Sequence, residues 1–112
     1  LAEWLIKKDR DVILFCAGWK GRFNLEDTLF AGALLELLIA SNLYDNSCDA
    51  AQASVVMWNA AKSDLFSFLI NSSHRKRLSK LNIDSDVHFC LKLNQTDKIP
   101  ILKGDVLVVD NE

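Results

Sequence analysis

Hydrophobic positions fall at two spacings along this chain. Leu1, Trp4 and Leu5 recur at helical intervals and predict an amphipathic helix over residues 1–8. The run 12–17, Val-Ile-Leu-Phe-Cys-Ala closed by Gly18, is apolar throughout. Such a run predicts a strand covered on both faces, of the kind found in the middle of a parallel sheet. Residues 18–24 read as a loop, with Asn24 as a helix N-cap and Asp27 three residues on in a capping arrangement. Strong helix formers then fill residues 25–40. Leu29, Ala33, Leu37 and Leu38 cover one face of that helix, and Phe30, Leu34 and Leu35 spread apolar surface almost all round it, which predicts burial. Ala31-Gly32-Ala33 would let its backbone lie close against a sheet.

Residues 42–47 are a polar turn, and two further helices are expected over 49–62 and 64–70. Ser72 or Ser73 can cap a short basic helix, 74–81, with Leu78 and Leu81 facing inward. Residues 86–92 alternate Val87, Phe89 and Leu91 against His88, Cys90 and Lys92, the pattern of a strand with one buried face. Ile99-Pro100 is an extended turn entry, and Gly104-Asp105 turns into a last short strand, 106–109. The sum is α/β: three strands, four or five helices, and an expected three-layer α/β/α arrangement around a small mixed sheet. A strand buried on both faces needs neighbours that three strands scarcely provide. Almost wholly apolar helices also want more cover than 112 residues supply. Part of the sheet is therefore expected to come from an upstream half or a second subunit.

Composition narrows the function classes. Half of the residues are hydrophobic and a quarter charged, so a disordered chain is excluded. No stretch approaches the roughly 20 apolar residues of a membrane helix. With 13 basic and 15 acidic side chains the net charge is -2, which lacks the basic excess of a nucleic-acid binder. Cys16, Cys48 and Cys90 are odd in number and contain no CxxC pair, so reduced thiols and a cytoplasmic protein are expected. The chain begins at Leu1 and shows no signal-peptide pattern.

The strand–loop–helix unit from Val12 to Leu38 is the place for chemistry, because ligands of open α/β sheets bind beyond the carboxyl ends of the strands. Its loop carries Gly18, Lys20, Gly21 and Arg22, which could hold an anion through backbone amides and two cations. Glu26 and Asp27 follow in the first helical turn and could anchor Mg²⁺, which takes one or two carboxylates, waters and a phosphate oxygen. Acidic residues are also favoured there by the helix dipole alone, and loop cations are ordinarily solvated. The glycines match neither a Walker loop nor a dinucleotide fingerprint. His88 falls on a polar face. His74 opens the basic stretch Arg75, Lys76, Arg77 and Lys80, an ordinary solvated helix face or an anion contact. Cys16 ends the expected central strand, either as an inert core thiol or as a group facing a ligand. No nucleophile is legible.

The segment Cys16-Ala17-Gly18-Trp19-Lys20-Gly21-Arg22-Phe23-Asn24-Leu25-Glu26-Asp27-Thr28-Leu29-Phe30-Ala31-Gly32-Ala33 resembles the CAG, GRF, ED and AG signature of the 2-phosphosulfolactate phosphatases, the ComB family. Ser73-His74 with Leu78, Asp86-Val87 before Phe89-Cys90, Ile99-Pro100 and Gly104 follow the closing order of the same family. The resemblance implies a Mg²⁺-dependent phosphatase that converts 2-phospho-3-sulfolactate to sulfolactate and phosphate, a step towards coenzyme M. It implies Lys20 and Arg22 as substrate-binding cations with Gly18 and Gly21, and Glu26 and Asp27 as metal-binding acids. It covers only the second half of the family's sequence. The early Asp…Arg-Ala, Asn-Ser-Pro and Thr-Asn-Gly segments are not found in this chain. The whole of residues 1–112 is thus expected to be a C-terminal α/β domain of a larger two-part ComB-like fold, contributing one wall of a site. The alternatives are a non-catalytic anion-binding module and a protein-docking module.

Overall fold

The computed structural model describes residues 1–81 and 84–110. Its helices are α1 (Ala2–Lys8), α2 (Leu25–Ala40), α3 (Asp49–Ala61), α4 (Leu65–Leu69), α5 (Ser73–Leu78), which runs on as a 3₁₀ turn over Ser79–Leu81, and α6 (Asp84–Cys90). Two strands, β1 (Ile99–Lys103) and β2 (Val106–Asp110), pair antiparallel in a hairpin with Lys103 opposite Val106. The chain is a small, helix-rich α/β structure.

The α2–α3 pair is its densest part. Gly32 sits where the two backbones meet: a Cβ there would lie 2.1 Å from the Ser54 carbonyl oxygen and 2.8 Å from Trp58 Cβ. The small residues of α2 thus admit a helix, not the sheet expected from the sequence. Glu36 closes the far end of the contact, accepting hydrogen bonds from Trp58 Nε1 at 2.8 Å and from Lys62 Nζ at 2.6 Å. The Lys62 ammonium, and after it the Trp58 indole N–H, holds the Glu36 carboxyl below the ordinary glutamate range. Leu29, Ala61 and Leu69 form a buried cluster beneath, with Leu25, Met57, Leu65 and Leu91 packed against it.

Three expectations are corrected. Residues 86–92 do not form a strand, since α6 runs through them. Val87 is buried and Leu91 joins the core cluster, a spacing of four that a helix, not a strand, brings onto one face. Asp84 and Asp86 in the first turn favour the helix start as well. Residues 12–16 belong to no sheet, so the mixed sheet expected is, among the described residues, only the β1–β2 hairpin. Residues 12–15 keep a strand's alternation of exposure: Val12 and Leu14 are half-buried, whereas Ile13 and Phe15 are 91% and 88% exposed. Finally, Phe30, Leu37 and Leu81 are exposed, so neither α2 nor the turn after α5 is covered on every apolar position.

The remaining helices follow their expected starts. Ser72 is the cap of α5, accepting from Arg75 N–H at 3.1 Å, and Asp64 caps α4 by accepting from Ser67 N–H at 3.0 Å. The hairpin is tied to α1 through Trp4 Nε1, which donates to Asp110 Oδ2 at 2.7 Å.

Candidate functional site

The loop between residues 18 and 24 is built around a two-residue reverse turn. Trp19 and Arg22 exchange two backbone hydrogen bonds, each 3.0 Å long. The residues between them, Lys20 and Gly21, both have positive φ, 51° and 71°. That is the conformation of a type I′ turn, and it leaves Lys20 at an exposed apex in a region non-glycine residues seldom occupy. Gly18 is required by geometry: its φ is +69°, and a Cβ would stand 2.4 Å from the Arg22 carbonyl oxygen.

Asp27 fastens this turn to α2. Its Oδ2 accepts from the Gly18 N–H at 2.8 Å and its Oδ1 from the Asn24 side-chain amide at 3.2 Å. The capping arrangement expected at Asn24 is therefore replaced by one in which the Asn24 side chain donates to Asp27 and makes no cap bond to the backbone. The Gly18, Trp19 and Arg22 amides are all engaged within the protein. Lys20 and Arg22 are exposed, and neither has a carboxylate partner among the described residues.

Glu26 faces a different element. Its Oε1 accepts from Ser72 Oγ at 2.9 Å and stands 3.9 Å from His74 Nδ1, too far for a hydrogen bond. Glu26 Oε2 and His74 Nδ1 are both buried without a hydrogen-bond partner. Two polar atoms left so are unusual in a folded protein. Ser72 also serves as the α5 cap, so its hydroxyl is occupied on both sides.

The short basic helix divides its charges. Arg75 lies over the Phe66 ring, 4.4 Å from its centroid, and pairs with Asp84 at 3.1 Å. His88 stacks on the same ring, with centroids 3.8 Å apart and an interplanar angle of 8°. Arg77 instead reaches the loop, its guanidinium 5.0 Å from the Trp19 ring centroid, and Lys20 Nζ lies 5.8 Å from the same centroid. The structure thus brings Lys20 and Arg77 to one indole and places Ser72 and His74 beside Glu26. Sequence reasoning passed over Ser72 as a site residue and carried His74 and Arg77 only within a basic run read as a solvated face or an anion contact. The Ser73-His74 pair within the family's closing order was the signal at hand, and the basic run concealed Arg77.

A groove of about 490 Å³ is lined by Cys16, Ala17, Glu26, Asp27 and Phe30, and so joins the two carboxylates to the end of the 12–17 run. Cys16 is an exposed free thiol there, and Cys48 and Cys90 are also free, as expected. No group of three or more His, Cys, Asp or Glu side chains converges in metal-holding fashion among the described residues. Glu26 has an unpartnered buried oxygen, and each Asp27 oxygen accepts one bond and keeps a second lone pair, so both acids retain acceptor capacity of the kind a hard cation uses, although they face different elements.

A strand-like segment, a glycine-shaped turn and a helix follow one another here, the order in which α/β proteins carry their ligand-binding loops. The model of the 2-phosphosulpholactate phosphatase family matches residues 1–105, and the chain belongs to that family. It is similar to the "Probable 2-phosphosulfolactate phosphatase" of Caldanaerobacter subterraneus subsp. tengcongensis, 29% identical over 96% of this chain and 44% of the relative. Proteins of the same name from Thermotoga maritima and Prochlorococcus marinus are 33% and 35% identical over 93% and 89% of this chain. In those two, the match spans 44% and 43% of the relative. The chain thus spans less than half the length of the curated relatives it matches. No solved structure matches it.

Proposed function

We propose that this chain forms one wall of a phosphomonoesterase site that acts on 2-phospho-3-sulfolactate, releasing phosphate and sulfolactate. The observation that carries the reading is the meeting of Lys20 and Arg77 at the Trp19 indole, in the same turn that carries the exposed Arg22. A substrate bearing phosphate, sulfonate and carboxylate needs several cations, and among the described residues these side chains have no carboxylate to neutralise them. Family membership supports the same chemistry. Glu26, with Asp27, would hold Mg²⁺, which when bound supplies a positive charge to the phosphoryl oxygens. Asp27 keeps the turn seated on α2, so the loop cations are presented in one arrangement. Ser72 holds Glu26 from the α5 side through its hydroxyl.

No side chain in this chain is assigned as the attacking group or its base. That function falls to the remainder of the longer family polypeptide, which would dock on the three-layer fold expected here. Three unpaired cysteines and the absence, among the described residues, of a helix long and apolar enough to cross a membrane support a cytoplasmic setting.

The test is phosphate release from 2-phospho-3-sulfolactate, with and without Mg²⁺, by the full-length protein and by the 112-residue chain. The full-length protein should turn over only with Mg²⁺, and the chain alone should be inactive. Glu26→Gln in the full-length protein should lower kcat by about 10²–10³. An unchanged rate and Mg²⁺ requirement would return Glu26 to a structural role. Robust turnover by the chain alone would defeat the one-wall reading, and phosphate binding without turnover by the full-length protein would favour an anion-binding module.

A further inference from the structure

Residues 12–17 are an apolar run that the described fold covers only in part. Among the described residues, no main-chain hydrogen bond joins this run to another backbone segment. Unpaired backbone N–H and C=O groups survive only in water, yet this run is made of residues that water disfavours. The alternation of exposure shows two apolar faces, not one. Val12 and Leu14 turn inward, while Ile13 and Phe15 stand almost fully in solvent at 91% and 88%. A strand with one wet face would carry polar residues at those outward positions.

The flanks of the run are open as well. It shares one groove, of about 550 Å³, with Leu38 and Met57 of the α2–α3 pair. It shares a second, of about 490 Å³, with Leu5 of α1 and Phe30 of α2. Ala31 lines both, so the run crosses α2 there with free space to either side. We infer that residues 12–17 are an interior strand whose neighbours on both edges come from the part of the family polypeptide that this chain does not span. The share of the relatives left unmatched, more than half their length, is ample for such strands.

A second copy of this chain is the rival occupant, and the geometry disfavours it. A two-fold dimer uses the same edge of each copy and would leave the other edge and its groove open. Strands supplied by another part of the polypeptide fill both. The inference rests on family membership and not on the phosphatase chemistry, and its test reads pairing instead of turnover.

The experiment mixes the 112-residue chain with the complementary segment of each of the three relatives named above, each made as a separate polypeptide. Mass measurement and amide hydrogen exchange are the readouts. The expected result is a one-to-one complex with at least one complement. In it, amides across residues 12–17 should gain about 100-fold or more in protection. Ile13→Asp combined with Phe15→Asp should abolish the complex. Leu107→Asp, at an exposed position of the hairpin, should leave it intact. No complex with any complement would overturn the inference, as would a complex in which residues 12–17 exchange as fast as in the chain alone. Protection arising by dimerisation of the chain itself would overturn the choice of occupant.

Discussion

The α2–α3 contact and the 12–17 run are both written in apolar residues, yet they have opposite fates. In the first, Gly32 lets two backbones touch, Leu29 and Ala61 are buried together, and Glu36 joins the ends through Trp58 and Lys62. In the second, Ile13 and Phe15 project into solvent, with grooves on either side. The difference lies in what each element requires. A helix satisfies its own backbone and needs only a partner face, whereas a strand needs partner backbones. Local sequence can thus complete the helix pair within this chain and leave the strand unfinished.

Substitutions that act on one region and spare the other would sharpen this contrast. The largest effect is expected for Gly32→Ala. The added methyl meets a helix carbonyl that cannot move without separating α2 from α3. A loss of about 3 kcal/mol, near 15 °C in Tm, should appear in thermal unfolding of the chain. A change under about 1 kcal/mol would mean the helices separate easily and the contact is loose.

Next comes Glu36→Gln, which removes the charge shared by Trp58 and Lys62. It should cost about 1 kcal/mol at neutral pH. Lys62 first, and Trp58 second, depress the Glu36 pKa in the folded state. The stabilisation from Glu36 is therefore complete above the unfolded glutamate pKa of 4.5 and disappears as pH falls through the lower folded value. The difference between Glu36→Gln and the parent should shrink as pH drops through that window. A difference independent of pH would assign the effect to packing.

The smallest effect is expected on the other side of the comparison. Ile13→Ser with Phe15→Ser should alter the stability of the chain by less than about 0.5 kcal/mol, since both side chains are in solvent already. A loss of several kcal/mol would show that the run is packed in solution, and the contrast would collapse.

Helix positions were readable from the residues because capping groups and periodic apolar positions act locally. Leu25–Ala40 begins after Asn24, and Ser73–Leu78 begins after Ser72, where the sequence places them. The error at Asp84–Cys90 arose because a stretch of seven residues fits period two and period four about equally well. Only the core, by accepting Val87 and Leu91 together, distinguishes them. The loop of the candidate site was legible as a glycine-bearing turn with two cations and two acids. The division of labour between the acids was not: Asp27 holds Gly18, while Glu26 faces Ser72 and His74 nearly fifty positions away.

By itself the sequence determined the first five helices, the turn residues, the last strand and the family signature, all of which depend on neighbours a few positions apart. The tertiary structure decided that α2 packs on a helix and not a sheet, that Arg77 joins Lys20 at Trp19, and that residues 12–17 have no partner strand among the described residues. Those outcomes depend on which distant surfaces meet. Burial and pairing reward contacts in space, and local spacing along a chain carries no record of them.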